Sequence, residues 1–384
     1  MMHVAPARLA VAWVTMFLVG TELFVFSPLL PLLAADYHIS TTLAGLSVTI
    51  FSLAYMFGAP ILGQLGDRVG RRRVLLCSLV GFTTANWLTA LAGNLPSLLV
   101  IRFLAGVAAA GISPSIYALV SNTAAPERRA TWLAIVVSGL MVALALGAST
   151  GGFVAAWLGW HSLFAALGGL SLIFGWLNLV VWPPDCAAAA SGEAARPYPI
   201  MKASLARRLL PMVIWSTGLY GVYTYLGAGL ITVGFSAAQT AQAILLYGCG
   251  SIAGVLIGGC LADRLGVRFT AVVSFAGLCA CLLVLREALD TGKLVAPALG
   301  ASSAVAQLFF PAQQAGLAND FPRERSVVLA WNNSALFFGI SLGSLLGGQA
   351  VALGFDTNLT IAAGLALVGC IVNAIVVPRR ATPA

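Results

Sequence analysis

Two charged side chains interrupt the apolar stretches of this 384-residue chain, Glu22 in the first and Arg102 near the middle of the N-terminal half. A charge held in hydrocarbon costs several kcal/mol unless it is paired, hydrated or neutralised, so each is a functional residue by default. Burial favours the neutral acid and a nearby guanidinium favours the carboxylate. A glutamate whose access to water or to an arginine changes with conformation therefore takes up and releases a proton, while the arginine stays charged. Three roles fit Glu22 and Arg102: a proton carrier with the arginine that times its release, a static ion pair, or a carboxylate that binds a cationic substrate. Proton coupling is the expectation adopted.

Other chemistry finds little support. The histidines are His3, His38 and His161, no G-x-S-x-G string occurs, and the cysteines form no CxxC or His-paired set suited to zinc or redox work. An intramembrane enzyme is therefore not expected, nor a metal or cofactor. No G-x-x-x-x-G-K-[ST] loop is present, so the energy for any uphill work must come from a gradient.

The elements that carry these two residues follow from composition. Hydrophobic residues make up 60% of the chain and charged residues 8%, with a mean hydropathy of +0.97, which excludes a soluble protein. At about 20 apolar residues per crossing, the uncharged intervals divide into twelve helices. Ala130 to Pro184 and Leu209 to Ala262, for instance, run 55 and 54 residues without a charge, enough for two spans each. The first apolar stretch is too long for a signal peptide and lacks a small-residue cleavage site before Glu22, so it reads as helix 1.

Of the 20 lysines and arginines, only Arg286 and Lys293 fall in loops on the far side. The positive-inside rule then places both termini and the central loop in the cytoplasm. The net charge of +8 is accounted for by short basic loops at one membrane face, and nucleic acid is not an expected partner.

The segment from Pro183 to Arg208 is polar and proline-containing and reads as a cytoplasmic linker. The expected organisation is a six-helix bundle over 1–182, the linker over 183–208, and a second six-helix bundle over 209–384. The loops after the second span of each half read Gly63-Gln64-Leu65-Gly66-Asp67-Arg68-Val69-Gly70 and Gly259-Cys260-Leu261-Ala262-Asp263-Arg264-Leu265-Gly266, offset by 196 residues. The fold class is thus an all-α integral membrane protein with twelve transmembrane helices in two bundles related by a pseudo-twofold repeat.

With these residues assembled, the chain resembles the major facilitator superfamily over essentially its whole length, and within it the twelve-span drug:proton antiporter group. Gly63 to Leu75 is similar to the superfamily signature G-x-L-A-D-R-x-G-R-R-x-x-L, with Gly66 in place of Ala. Arg102 to Gly106, Gly20 to Phe24 with Pro28 to Pro31, and the ladder Gly339, Gly343, Gly347 and Gly348 support it. The resemblance implies that Gly63, Asp67, Arg68, Gly70, Arg71 and Arg72, with Asp263 and Arg264 in the second copy, latch the halves on the cytoplasmic side. It also implies a proton-transfer role for Arg102. Asp67 is expected to face the positive end of a helix while pairing with nearby arginines.

Helix 5 departs from the antiporter pattern. Gly147, Gly151 and Gly152 keep the small residues that let helices pack closely, as do Gly339 and Gly343 in helix 11, but Ala148 stands where the group usually has proline. The kink of a proline is missing, which keeps facilitated diffusion or import open. Uncharged pore residues expected to line a substrate site are Phe26, Tyr55, Asn86, Tyr117, Tyr220, Tyr223, Gln307, Gln313, Gln314, Asn332 and Asn333. They suit a neutral or weakly cationic amphiphile or a polyol. The expected function is proton-coupled efflux of a small molecule such as a drug, sugar or metabolite by a monomer in contact with membrane lipid, in a bacterial inner membrane. A facilitator or proton symporter importing a sugar or other metabolite is the alternative.

Overall fold

A computed structural model describes residues 4–125, 128–185, 203–289, 292, 294–321 and 325–376. His3, Cys186, Lys293, Arg379, Arg380 and the linker residues 186–202 lie outside these. Among the described residues the chain is helical and no strand forms.

The first half contains α1 (Val4–Phe24), α2 (Phe26–Asp36), α3 (Thr41–Val69), α4 (Arg71–Ala90), α5 (Leu95–Thr123), α6 (Arg129–Val142), a π-helical turn (Ala143–Gly147), α7 (Ala148–Leu158) and α8 (Trp160–Val181). The second contains α9 (Ala203–Thr232), α10 (Ala237–Leu265), α11 (Val267–Ala288), α12 (Val295–Gln307), α13 (Phe309–Asp320), α14 (Arg325–Leu353) and α15 (Phe355–Val376). Counting α1 with α2, α6 with the π turn and α7, and α12 with α13, these are the twelve rods the sequence implies. Ten are long and apolar enough to cross a membrane. The other two are α4, which opens on Arg71, Arg72 and Arg73, and α9, which carries Ser, Thr, Tyr and Gly along a largely buried length.

The breaks have local causes. Pro28 is the third residue of α2 and Pro311 the third of α13. A proline lacks the amide hydrogen and its ring collides with the preceding turn, so the helix ends just upstream and restarts with proline in its first turn. Glu22 thus sits in the last turn of α1, three residues before the interruption at Val25. Helix starts carry ordinary caps: Asn94 Oδ1 accepts from Ser97 N at 2.9 Å, and Ser236 with Gln239 forms a capping box. Gly70 and Gly266, equivalent in the repeat, have φ of 110° and 87°, a region that favours glycine.

The chain divides into two compact units, one of Met1–Phe26 with Ile50–Tyr198 and one of Ser27–Thr49 with Pro199–Ala384. In the first, α4 packs on α5 and α8, and α1 packs on α6, the π turn and α8. In the second, α9 packs on α14 and α15, α10 on α12, and α11 on α15. Residues Ser27–Thr49 belong to the second unit through hydrogen bonds to its backbone: Ser27 Oγ donates to Tyr223 O at 2.5 Å, Thr42 Oγ1 to Gly348 O at 2.8 Å, and Ser344 Oγ donates to Gly45 O at 2.9 Å.

Candidate functional site

The two intramembrane charges meet. Arg102 Nη1 donates to Glu22 Oε1, and both residues are 1% exposed. Glu22 Oε2 is buried and has no hydrogen-bond partner, so the carboxyl keeps one open position for a proton. The guanidinium carbon lies 4.0 Å from the centre of the Phe26 ring and 4.3 Å from that of Phe51. Phe26 rests in turn on Phe164, 5.6 Å between ring centres, and Phe51 on Tyr55 at 6.4 Å.

Glycines set this geometry. A Cβ on Gly106, one turn past Arg102, would stand 2.9 Å from Ala54 Cβ and 3.1 Å from the Phe51 carbonyl carbon, so the missing side chain lets α5 approach α3. On the other side of Glu22, Gly20 meets Leu140 and Ala143, Gly147 meets Thr21, and Gly151 meets Val25. The π turn at Ala143–Gly147 directly precedes Ala148, where helix 5 lacks its proline, and its last residue lies against Thr21. A π turn is itself a local irregularity of the hydrogen-bond ladder, so helix 5 departs from regular geometry here without a proline. Gly152 is half-buried, while Gly339 and Gly343 face Val213 O and Thr217 O on α9.

In the basic loop, Asp67 Oδ1 accepts from Arg71 Nη2 at 2.5 Å, and the Asp67 side chain is 52% exposed. The carboxylate at a helix N-terminus is not Asp67 but Asp185, which accepts from the backbone N–H of Arg72 and of Arg73, each at 3.0 Å. Arg72 Nη2 donates to Leu179 O at 2.6 Å, tying the loop to the end of α8. Gly66 lies under Arg71, whose Cδ would be 2.9 Å from an added Cβ, which accounts for glycine where the signature has alanine. Gly63 is buried; Arg68, Asp263 and Arg264 are exposed.

The uncharged residues separate into two groups. Tyr55 and Tyr117 are neighbours in the first unit, near the Phe51 ring. In the second unit the Tyr223 ring lies tilted against Tyr247 at 5.2 Å and edge-on to Tyr220 at 6.2 Å, and Trp215 contacts Tyr220, Phe309 and Phe310. Asn332 is buried with Oδ1 unpartnered; Asn333 and Gln314 are half-buried. Two amides instead join helices or their own turn: Gln313 Nε2 donates to Arg208 O at 2.7 Å, and Asn86 Nδ2 to Phe82 O at 2.9 Å. Gln307 is buried at the end of α12.

Sequence reasoning passed over Phe51, Asp185, Tyr247 and the Arg208–Asp320 pair, whose Nη2–Oδ2 separation is 2.5 Å. Phe51 and Tyr247 carry no signal among the many aromatics of an apolar chain. Asp185 had one, as an acid four residues past the end of α8 and at the start of a linker rich in proline and alanine.

A chain of twelve apolar rods with an internal repeat and a buried acid–base pair is a membrane transporter of the secondary type. It belongs to the Major Facilitator Superfamily, whose sequence profile matches residues 12–285 and 228–384. The 3-(3-hydroxy-phenyl)propionate transporter of Escherichia coli (strain K12) is 32% identical over 327 residues, covering 81% of this chain and 78% of that one. A chloramphenicol resistance protein of Streptomyces lividans is 28% identical over 273 residues, covering 70% and 69%. The crystal structure of a D-xylose-proton symporter shares the fold, with a TM-score of 0.80 at 18% identity over 97% of this chain and 98% of that one. The protein is a transporter and not an enzyme.

Proposed function

We propose that the protein exports a small organic molecule in exchange for protons by alternating access, with Glu22 as the proton carrier and Arg102 as the group that governs its release. The observation that carries this reading is the pair itself: two fully buried opposite charges with one carboxylate oxygen unpartnered. A purely structural pair would satisfy both oxygens, because a bare buried acceptor is costly. A proton on Oε2 relieves that cost and weakens the attraction to Arg102, so protonation changes the balance of forces holding α1 to α5.

The substrate in this reading is an uncharged or weakly charged amphiphile with an aromatic or polyol body, held by the Trp215, Tyr220, Tyr223 and Tyr247 cluster and by Asn332. The relatives named for a phenyl-substituted acid and for chloramphenicol resistance support an aromatic cargo. The two six-helix halves over 1–182 and 209–384, the cytoplasmic latch at Asp67, Arg68, Arg71 and Arg72, a bacterial inner-membrane location with both termini inside, and action as a monomer complete the proposal. Ala148 in place of the helix 5 proline favours one second reading, uptake of a metabolite by facilitated diffusion or proton symport.

The test is proton movement in vesicles carrying the purified protein when chloramphenicol, 3-(3-hydroxyphenyl)propionate or D-xylose is added, with Glu22→Gln beside the wild type. Exchange reads as proton release on substrate binding that the variant lacks. Substrate binding without proton movement in either protein rejects coupling at Glu22 and leaves the facilitator. Proton and substrate moving in the same direction identifies symport.

A further inference from the structure

The loop repeated in the two halves gives the helix that follows it the same start twice. Gly70 before α4 and Gly266 before α11 both have positive φ. The arginine two residues on is tied in each case to a carbonyl near the end of the last helix of its half: Arg72 Nη2 donates to Leu179 O on α8, and Arg268 Nη2 to Ala374 O on α15. The arginines are offset by 196 residues and the carbonyls by 195, so this is one bond in two copies. The second copy lacks one part. Asp185, four residues past α8, accepts from the first-turn amides of α4 at Arg72 and Arg73. At the offset of 195 the sequence has Arg380, and no Asp or Glu follows Asp356. Among the described residues no side chain caps α11. The first-turn N–H groups of this 22-residue helix, at the positive end of its dipole, therefore stand without the carboxylate that the same geometry holds in the first half.

A second observation lies beside that helix start. Arg208, on α9, is 7% exposed; its Nη2 donates to Asp320 Oδ2 at 2.5 Å, while Nε and Nη1 are buried with no hydrogen-bond partner. Charged donors left bare in a protein interior are costly and call for an acceptor. Gly316 on α13 shows where the guanidinium stands. An added Cβ would lie 2.9 Å from Val267 Cγ1 and 3.2 Å from Arg208 Nη2, so the guanidinium and the first residue of α11 flank one point. The adjoining ends of α9, α10, α11 and α13 carry Arg207, Arg208, Arg264 and Arg268 against Asp263 and Asp320, an excess of positive charge. Backbone amides at a helix start and a guanidinium are the donors that phosphate oxygens accept from, and a phosphate has oxygens enough to engage both at once.

We propose that the start of α11 and Arg208 form an anion site for a phosphate group, held by the N–H groups of Arg268 and Phe269 and by Nε or Nη1 of Arg208. The anion does for α11 what Asp185 does for α4, and it ties the basic loop between α10 and α11 to α9. Its phosphate belongs to an anionic phospholipid headgroup or to a soluble phosphate, which present the same oxygens at the membrane face of the basic loops. The site is separate from Glu22 and Arg102 and does not depend on their role.

The experiment is hydrogen exchange read by mass spectrometry on the full chain, comparing the first turns of α11 and α4. Inorganic phosphate is added against chloride at equal ionic strength in phospholipid-free maltoside micelles. In a second arm, nanodiscs of phosphatidylglycerol are set against phosphatidylcholine in phosphate-free buffer. Exchange in the first turn of α11 is expected to slow about tenfold once the ligand stands about ten times above its half-saturating concentration, with α4 unchanged because Asp185 already occupies its amides. Slowing by phosphate in micelles identifies a soluble anion; slowing by phosphatidylglycerol alone identifies the headgroup. Arg208→Lys keeps a cation for Asp320 but loses the two bare donors, and Phe269→Pro removes an amide that no helix bond uses, in a first turn where proline is tolerated. Each should raise the half-saturating concentration about tenfold, in the range of one charge-assisted hydrogen bond. No slowing at α11 in either arm overturns the proposal, as does slowing that α4 shows equally or that both variants leave intact. Phe269→Pro keeps the test decisive where Arg208→Lys does not fold.

Discussion

Glu22 and Arg102 illustrate why a residue of unusual type in an unusual place is informative. Their identity and depth could be read from the chain, since a charge in an apolar run is rare and costly. That they touch could not, because they are 80 residues apart and only the packing of α1 on α5 brings them together. The same contact sets a stability prediction. Arg102→Met leaves an unpaired buried carboxylate and is expected to destabilise the protein by about 3–5 kcal/mol, whereas adding Glu22→Gln in the double variant should recover most of that loss. Thermal unfolding in detergent of the two single variants and the double checks it; equal losses in Arg102→Met and the double variant would show that the pair contributes nothing by its charge.

Between elements, the contacts that matter are made by small residues and by one cap. Asp185 receives two N–H groups at the start of α4, next to Gly70 at φ 110°, from a position more than a hundred residues downstream. Asp185→Ala should cost about 1–2 kcal/mol, in the range of helix N-cap losses, and should speed hydrogen exchange selectively in the first turn of α4. Uniform acceleration across the helix would argue against a capping role. Gly70→Ala should be worse, because a side chain is strained at that φ and would strike Asp185. In helix 5, Gly139→Leu should separate α6 from α1, since its Cβ would lie 2.5 Å from Trp13 O, and the fall in melting temperature should exceed that of Gly169→Leu, where nothing lies within 4 Å.

For the molecule as a whole, orientation is the property the charges decide. In a protein stripped of its native cysteines, Arg264→Cys in the basic loop and Asp356→Cys at the start of α15, both exposed, should react with a membrane-impermeant thiol reagent from opposite sides. Reaction from one side alone would overturn the assignment of loops to faces.

Hydropathy and charge spacing determined twelve rods, and the repeated G-x-L-small-D-R-x-G loop determined the family, because a bilayer restricts spanning segments so tightly that composition nearly specifies them. Glycines at 70 and 266 likewise marked turns through local sterics, whereas breaks beside Pro28 and Pro311 appear only in the structure, since Pro60, Pro114 and Pro211 lie inside continuous helices. Tertiary structure alone decided which aromatic rings cover Arg102, which carboxylate caps α4, and that Ser27–Thr49 bonds to the second unit. In an apolar chain, phenylalanine and serine occur too often for type to mark position, and side-chain contacts across a bundle depend on helix rotation and approach, which glycines at distant points of the sequence control together.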